Sequence, residues 1–324
     1  MARVVRIQAF GGPENLKLEQ VDVAAPGPGQ ARIRQTAIGL NYLDVYHRTG
    51  LYPIGDLPAP VGSEGAGVVE AVGEGVTSLK AGDRVAYVGG PLGAYADERL
   101  YPADRLVPLP DWVSDEQAAS LMMQGLTAQY LLRRTFPVQS GQTILFHAAA
   151  GGVGLIACQW AKSLGARVLG TVGSKEKADL AVAHGCDVPI FYREANWVQH
   201  VRQETDEKGV PVVYDSVGKD TIKGSFECLA PLGTLVVFGQ SSGPVPPIEL
   251  GQLAKGSFFL TRPSIAAYMA ARSDLMQAAA EVFELVKNGT IKVNIAQRFK
   301  LEDAAEAHRA LEARKTTGST LLIP

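Results

Sequence analysis

A glycine-rich turn near the middle of the chain is the segment best suited to chemistry. The β-branched run 143–147 has the composition of a strand and leads into Ala148-Ala149-Ala150-Gly151-Gly152-Val153-Gly154. Against the pattern G-x-G-x-x-G, Gly151 and Gly154 match the second and third glycines, and Ala149 replaces the first. Gly151 would let backbone N–H groups approach a pyrophosphate at a helix N-terminus, and Gly154 would let the helix pack closely against the strand. The turn therefore predicts a dinucleotide site.

The residues after the following strand indicate which dinucleotide is bound. NAD-binding folds usually carry an Asp or Glu about 20 residues after the glycine turn, where it binds the ribose hydroxyls. Here Gly173 and Ser174 stand in that region, and Lys175 and Lys177 follow. A carboxylate would repel a 2′-phosphate, whereas a hydroxyl and lysines attract it. The sequence predicts NADPH, with ordinary solvated lysines on a surface helix as the alternative.

The elements that position this turn alternate along the chain. Predicted strands are 143–147, 167–172, 187–190, 210–215 and 234–238. Predicted helices between them are 153–164, 175–183, 196–205 and 220–229. This alternation is typical of a parallel, doubly wound α/β sheet, and we place this dinucleotide-binding domain at 125–265, with an apolar helix 117–132 leading into it.

The segments on either side have a different character. Ten of the nineteen prolines precede residue 111, and short β-branched runs such as 31–38 and 65–72 lie between glycine-rich turns. This pattern predicts a compact, mostly β domain over 1–124. Beyond it, a long helix 267–287 and a strand 291–299 do not extend the alternation, so we expect 266–324 to return and complete that domain.

Composition excludes several classes of protein. The chain has 324 residues, 46% of them hydrophobic, and 31 Lys plus Arg against 33 Asp plus Glu leave a net charge of −2. Disorder is excluded, and a nucleic-acid or anionic-membrane partner is disfavoured. Three cysteines without a CxxC pair provide neither a disulfide framework nor a four-thiolate zinc site, which fits a reducing cytoplasm. We expect no signal peptide and no membrane span.

Nine short motifs are spread along the whole chain. They are Asn41 to Tyr46, Gly50 to Pro53, Gly62 to Gly67, Ala81 to Val85, His147 to Gly154, Tyr214 to Gly218, Phe238 to Ser242, Thr261 to Pro263 and Gly318 to Pro324. Together they resemble the motifs of the zinc-independent medium-chain dehydrogenase/reductases, in particular the zeta-crystallin-like NADPH:quinone oxidoreductases. The resemblance implies a Rossmann domain plus a β-rich GroES-like substrate domain.

The resemblance also implies a binding site for NADPH in the cleft between the two domains. Its members come from both predicted domains, and some of them could not be found from spacing alone. The implied cofactor-binding residues are Asn41, Thr127, Gly151, Gly152, Val153, Gly173, Ser174, Lys177, Tyr192, Ser216, Phe238, Gly239, Ser241, Arg262 and Arg314.

The resemblance further implies where a quinone would be reduced. Tyr46 and Tyr52 resemble the substrate-pocket tyrosines of the family, and together with Asn41 they are the candidate catalytic residues. A phenol or amide donor stabilises the negative charge that develops on a quinone oxygen. The alternative is that the tyrosines only shape the pocket. Zinc-dependent relatives carry a Cys and a His where this chain has Asn41 and Ser63, so a metal-free reaction is expected.

Two other functions remain open at this stage. Enone or enal double-bond reductases share the fold and the glycine turn, and other relatives serve as lens crystallins or bind RNA. The family is commonly homodimeric, and the apolar strands 235–238 and 258–260 are candidates for pairing between subunits. Among the remaining polar residues, we expect His147 to be a hydrogen-bonded structural histidine and Glu64 to pair with a buried partner.

Overall fold

The computed structural model describes all 324 residues, with sixteen strands and eleven α-helices. The strands are β1 Ala2–Ile7, β2 Leu16–Val21, β3 Gln30–Leu40, β4 Ala59–Pro60, β5 Glu64–Val72, β6 Arg84–Val88, β7 Glu98–Pro102, β8 Val107–Pro108, β9 Thr143–Phe146, β10 Arg167–Val172, β11 Val188–Phe191, β12 Val210–Asp215, β13 Leu229–Val237, β14 Phe259–Thr261, β15 Ile295–Lys300 and β16 Ser319–Ile323. None of the helices combines the length and the apolar composition of a membrane-spanning segment.

The helices are concentrated in the second half of the chain. They are α1 Tyr42–Arg48, α2 Asp115–Ala119, α3 Met122–Tyr130, α4 Gly152–Ser163, α5 Lys175–Ala183, α6 Trp197–Gln203, α7 Ile222–Glu227, α8 Leu250–Ala254, α9 Ile265–Tyr268, α10 Arg272–Lys287 and α11 Ala304–Glu312. A π-helical turn, Leu131–Thr135, continues α3.

The chain divides into two compact units. The first comprises 1–126, 269–283 and 293–324, and the second comprises 127–268 and 284–292. The first unit contains a seven-stranded sheet in which β16 lies between β15 and β3, and it contains a smaller sheet with the order β2-β1-β4. The boundaries of these units differ from the predicted domain boundaries chiefly at residues 284–292, which pack with the second unit.

The second unit is built on a six-stranded parallel sheet. Its strand order is β11-β10-β9-β12-β13-β14, and every neighbouring pair is parallel. The chain moves outward from β9 in one direction through β10 and β11, and then in the other direction through β12 to β14. In such sheets ligands bind beyond the carboxyl ends of the strands, where the direction of winding reverses. The predicted α/β doubly wound class is confirmed.

Buried apolar side chains give each unit a core of its own. The first core surrounds β3 and β5 and includes Ile33 and Ile38, both fully buried. The second core lies against β9 and β12 and includes Leu145 and Val213. Burying an aliphatic side chain of this size stabilises a fold by about 1.5–3 kcal/mol, so these two cores fix the sheets whose strand ends carry the candidate site residues.

Two predicted helices are interrupted. The predicted helix 117–132 is two helices, α2 and α3, separated by Ser120 and Leu121. The predicted helix 267–287 was wrong at its start, because α10 begins only at Arg272. Arg105 donates to the backbone oxygens of Met269 (2.7 Å) and Ala270 (3.1 Å), so these carbonyls are engaged by a side chain instead of continuing a helix. Sequence periodicity does not reveal such a contact.

One expectation about sheet edges was also wrong. The segment 235–238 was a candidate for pairing between subunits, but β13 lies inside the sheet between β12 and β14 and has no open edge. Of the two candidate segments, only 258–260 contributes to an edge strand, which is β14, and Phe259 on it is 61% exposed. An edge strand presents unpaired backbone groups, so the candidate pairing surface is reduced to β14.

Candidate functional site

Apart from Thr127, the candidate cofactor residues of the second unit gather at one end of the parallel sheet. Each follows the carboxyl end of a strand or begins the next helix, because all six strands point the same way. They are Gly151, Gly152 and Val153 after β9, Gly173, Ser174 and Lys177 after β10, Tyr192 after β11, Ser216 after β12, Phe238, Gly239 and Ser241 after β13, and Arg262 after β14.

The glycine turn has no room for a larger residue at its third glycine. A Cβ on Gly154 would lie 2.3 Å from the backbone oxygen of Ala148 and 2.7 Å from that of Ala149. Gly151 is the N-cap of α4, and its N–H donates to the Ala148 oxygen at 2.9 Å. The first N–H groups of α4 therefore point out of a tight turn, which is the arrangement that binds a pyrophosphate.

A second anion-binding feature lies at the start of α5. Ser174 is the N-cap of this helix and accepts a hydrogen bond from the Lys177 N–H at 3.4 Å. A Cβ on Gly173 would lie 3.4 Å from Cε1 of Tyr192, an ordinary van der Waals distance, so the tyrosine side chain lies close to the glycine. No carboxylate occupies the N-cap position. These residues fit a phosphorylated ribose better than a free 2′-hydroxyl.

Glu176 is a residue near this feature that sequence reasoning missed. It is exposed in the first turn of α5, and hydrogen bonds from its own backbone N–H and from the Ser174 hydroxyl lower the pKa of its carboxyl. The Ser174 hydroxyl hydrogen is therefore already donated to this carboxylate. Lys175, in contrast, pairs with Asp179 at 3.1 Å one turn further along the helix.

Three cofactor candidates beyond β12 and β13 are brought together by backbone contacts. The Ser241 N–H donates to the Ser216 oxygen at 3.1 Å, and a Cβ on Gly239 would lie 2.8 Å from that oxygen. Phe238 packs on Phe146 with ring centroids 5.6 Å apart. The predicted members of this segment therefore form one surface at the end of the sheet.

The remaining cofactor candidates lie elsewhere in the chain. Thr127 is buried in α3 at the beginning of the second unit. Asn41 and Arg314 belong to the first unit. Arg314 follows α11, is exposed, and has a left-handed backbone with φ of 58°.

The candidate catalytic residues lie on α1 and the loop after it. Asn41 directly precedes α1, Tyr46 is within it, and Tyr52 follows it. The rings of Tyr46 and Tyr52 are 5.0 Å apart, and that of Tyr42 is 5.8 Å from Tyr46. Tyr46 is 7% exposed, so its ring is largely a packing element. The role of these tyrosines in stabilising charge on a quinone oxygen stays a prediction.

Glu64 lies directly behind Asn41. The Asn41 Nδ2 group donates to Glu64 Oε2 at 2.6 Å, and the Met123 N–H donates to Oε1 at 2.6 Å. The expectation that Glu64 pairs with a buried partner is confirmed. Burial raises the pKa of this carboxyl to about 8, against the lowering effect of the two donors. A Cβ on Gly39 would lie 2.2 Å from the Glu64 carboxylate, so the glycine leaves the space that this carboxylate fills.

A second buried carboxyl, Asp44, lies on α1. It accepts hydrogen bonds from the Ser63 hydroxyl (3.0 Å) and the Tyr95 hydroxyl (3.1 Å), and burial raises its pKa to about 6. Tyr95 is also 3.0 Å from the Nε2 atom of His308 on α11. Burial and the charge of Arg48 lower the pKa of His308 to about 3. Sequence reasoning missed this cluster because its members are far apart in the chain.

Asn41 and Ser63, the residues that replace the zinc ligands of related enzymes, are both engaged in hydrogen bonds to carboxyl groups. No group of three or more His, Cys, Asp or Glu side chains in the structure is arranged to hold a metal ion.

His147, beside the glycine turn, is fully buried and contacts Thr171 Oγ1 and Ser225 Oγ. The expectation of a hydrogen-bonded structural histidine is confirmed.

Two family models match the chain. The model described as alcohol dehydrogenase GroES-like domain matches residues 27–111, and that described as zinc-binding dehydrogenase matches residues 152–285. The first match lies within the β-rich unit and most of the second lies within the unit with the parallel sheet.

Full-length relatives and solved structures agree with these matches. The chain is 53% identical to a quinone oxidoreductase of Pseudomonas aeruginosa, with both chains fully covered. It is 46% identical to a 2-haloacrylate reductase of a Burkholderia species, covering 100% of this chain and 99% of the relative. A crystal structure of the Escherichia coli quinone oxidoreductase complexed with NADPH matches with a TM-score of 0.98 and 46% identity, again with both chains fully covered. The chain therefore belongs to the quinone oxidoreductases of the medium-chain dehydrogenase/reductase family.

Proposed function

We propose that this protein is an NADPH-dependent quinone reductase that works without a metal ion or flavin. The observation that carries the proposal is the arrangement after β10, where Gly173 and an N-capping Ser174 stand in place of a carboxylate. This arrangement suits a 2′-phosphate, and the glycine turn after β9 suits the pyrophosphate. The E. coli relative whose structure was solved with NADPH supports the same cofactor.

The residues of the second unit would bind the cofactor at the ends of the strands. When bound, NADPH would supply a hydride, which together with a proton from water reduces a quinone to a hydroquinone. On the protein side, Lys177 would neutralise the 2′-phosphate, Tyr192 would cover it, and the first N–H groups of α4 would hold the pyrophosphate.

The residues around α1 would act on the substrate. Tyr46, Tyr52 and Asn41 are donors that would stabilise negative charge on the quinone oxygen, and the two rings would shape an apolar wall for a flat molecule. One N–H of the Asn41 amide already donates to Glu64, so its second N–H is the one left for this task.

Reduction of an activated double bond is the second candidate function. It is favoured by the 46% identity to a protein named 2-haloacrylate reductase. Both reactions deliver hydride to an electron-poor conjugated system, so the same glycine turn and the same donors serve either one.

We also propose a homodimer in the cytoplasm. The edge strand β14 with exposed Phe259 offers a surface for pairing with a second copy. All three cysteines, Cys158, Cys186 and Cys228, are free and buried, in agreement with a reducing compartment.

The first experiment measures nicotinamide oxidation by chelator-treated protein. NADPH and NADH are compared against para-quinones, ortho-quinones and an enone. Turnover of quinones with NADPH after chelation supports the proposal. Turnover of the enone alone favours the double-bond reductase, and loss of activity on chelation with recovery on adding zinc would exclude the metal-free reaction.

A substitution tests the assignment of the 2′-phosphate. Lys177→Ala is expected to raise the Kd for NADPH about tenfold and to leave that for NADH within about twofold, because only NADPH carries the phosphate. Lys175→Ala is the matched control, since Lys175 pairs with Asp179. An equal loss of affinity for both cofactors would overturn the assignment.

A further inference from the structure

A chain of buried hydrogen bonds crosses three neighbouring strands beneath the glycine turn. Thr171 Oγ1 on β10 lies 2.9 Å from Nδ1 of His147, which follows β9. The other ring nitrogen, Nε2, lies 3.0 Å from Ser225 Oγ on α7. The Ser225 hydroxyl donates to Asp215 Oδ2 at the end of β12, at 2.8 Å. All four residues are at most 1% exposed, and the chain links the ends of strands that hold most of the cofactor candidates.

The donor and the acceptor of each bond in this chain of hydrogen bonds can be assigned by starting from the Asp215 carboxylate, which accepts. Ser225 has one hydroxyl hydrogen, which it donates to Asp215, so it must accept from Nε2–H of His147. Burial lowers the pKa of His147, so the ring is neutral and Nδ1 is an acceptor. Nδ1 therefore receives the hydroxyl hydrogen of Thr171. The geometry assigns the Nε2-protonated tautomer to this histidine.

The Thr171 end of the chain contacts the backbone of the glycine turn. Thr171 Oγ1 accepts a hydrogen bond from the Ala148 N–H at 3.2 Å. Ala148 has a left-handed backbone with φ of 55°, which is unfavourable for a residue with a side chain. Its oxygen accepts from Gly151 N–H, so the conformation of Ala148 sets the shape of the turn.

The Asp215 end contacts the backbone of a second loop. Its Oδ1 atom accepts from the N–H groups of Val217 (2.8 Å) and Gly218 (3.0 Å), and both of its oxygens accept from Thr221 Oγ1. This loop contains the cofactor candidate Ser216. One continuous chain of side chains therefore fixes two loops that flank the reversal point of the sheet.

We propose that Thr171, His147 and Ser225 are positioning residues that hold the glycine turn in its cofactor-binding conformation before NADPH arrives. The proposal rests on the proposed function, because it assigns the turn to the pyrophosphate of NADPH. None of the three residues needs to touch the cofactor. Their contribution is to hold the strained Ala148 in place, so that binding does not have to order it.

The test uses two substitutions of one residue. Thr171→Val keeps the shape and removes the hydroxyl, which leaves the Ala148 N–H and His147 Nδ1 without partners, whereas Thr171→Ser retains the hydroxyl. We expect Thr171→Val to raise the Kd for NADPH about tenfold and Thr171→Ser to stay within about twofold of wild type. At saturating NADPH, kcat should change less than about twofold, because the reacting groups are untouched. Amide exchange at Ala148 in the cofactor-free protein should accelerate about tenfold in Thr171→Val.

Controls separate positioning from general stability. Thr320→Val removes a buried threonine hydroxyl bond of 2.9 Å to Gln297 in the first unit, and it should leave the NADPH affinity unchanged. Ser225→Ala breaks the chain at its other end and should weaken NADPH binding in the same direction, and it replaces Thr171→Val if that variant does not fold. In ¹⁵N spectra, the His147 ring should carry its proton on Nε2.

The possible failures are distinguishable. Wild-type protein that does not bind NADPH would overturn the proposed function. Wild-type binding together with unchanged affinity and unchanged Ala148 exchange in Thr171→Val would overturn only the positioning role. A proton on Nδ1 of His147 would overturn the assigned direction of the chain.

Discussion

The two units each bury a cluster of polar side chains, but the clusters are satisfied to different extents. In the second unit, both ring nitrogens of His147 and the hydroxyls of Thr171 and Ser225 have partners. In the first unit, Nε and Nη1 of Arg48 and Nδ1 of His308 are buried without a hydrogen-bond partner in the protein. Arg48 is fully buried and is paired through Nη2 with Glu312 at 2.7 Å.

We call the hydrogen-bonded residues under the glycine turn the fixed region, because all their polar groups have partners. We call the residues around α1 the adjustable region, because some of their buried polar groups have none. The chain of hydrogen bonds through His147 permits one arrangement, because each of its hydroxyls and ring nitrogens has a partner. The cluster around α1 instead contains two carboxyls, Asp44 on α1 and Glu64 on β5, with pKa values raised to about 6 and about 8. The charge of this cluster is therefore expected to change close to neutral pH.

The largest expected effect comes from breaking the fixed region at Gly154. Gly154→Ala would place a Cβ 2.3 Å from the Ala148 oxygen, so the turn or α4 must shift. Overpacking of this kind costs about 1–3 kcal/mol, and we expect NADPH affinity to fall between about ten- and a hundredfold. Titration calorimetry measures the affinity directly.

Gly251→Ala is the matched control for this substitution. Gly251 lies in α8, and a Cβ there would meet nothing within 4 Å. Unchanged NADPH affinity in Gly154→Ala would mean that the turn is not fixed by close packing, and the contrast between the two units would fail.

The adjustable region is tested by the pH dependence of stability. The pKa of Glu64 is raised from 4.5 to about 8 in the folded protein, so the native state holds this proton more tightly than the unfolded chain. The contribution of Glu64 to the free energy of unfolding is fully present below pH 4.5. It is lost as the pH rises towards 8, and the loss is at most about 1.4 kcal/mol per pH unit. Glu64→Gln should flatten the decline between pH 6.5 and 8, measured by urea unfolding.

Glu74→Gln controls for the loss of a carboxyl in the same unit, because Glu74 is exposed. It should leave the slope of stability against pH as it is in the wild type. If Glu64→Gln kept the wild-type slope of stability against pH, Glu64 would not change its charge in this pH range. The contrast between the adjustable and the fixed region would then fail.

The smallest expected effect lies at the exposed rim of the fixed region. Glu176→Gln removes a charge that competes for the Ser174 hydroxyl, so NADPH affinity should rise about twofold at low salt, with the gain lost at high salt. Affinity for NADH should not change, since it lacks the 2′-phosphate. Lowered NADPH affinity would show that Glu176 helps to shape this rim.

Much of the fold was predictable because it depends on local patterns. The strand-helix alternation and the turn Ala148 to Gly154 carry their structural reasons in neighbouring residues, and the strands 167–172 and 210–215 have the predicted bounds. The start of α10 was not predictable, because it depends on Arg105, far away in the chain.

The candidate site divides in the same way. The Gly173, Ser174 and Lys177 group is contiguous in sequence, so its chemistry can be inferred from composition and the expected helix start. The partners of His147 and of Tyr95 come from distant segments, and no periodicity links His147 to Ser225 or Tyr95 to His308. Their roles become visible only once the sheets are assembled.

The place of β16 determines the order in which the two units form during synthesis. Leu40 on β3 pairs with Thr320 on β16, whereas the six strands of the parallel sheet all lie between residues 143 and 261. Contacts close in sequence form earlier, and domains fold as they emerge from the ribosome. The parallel sheet should therefore assemble while β3 still lacks one neighbour, and this open edge can pair with other chains until β16 is made.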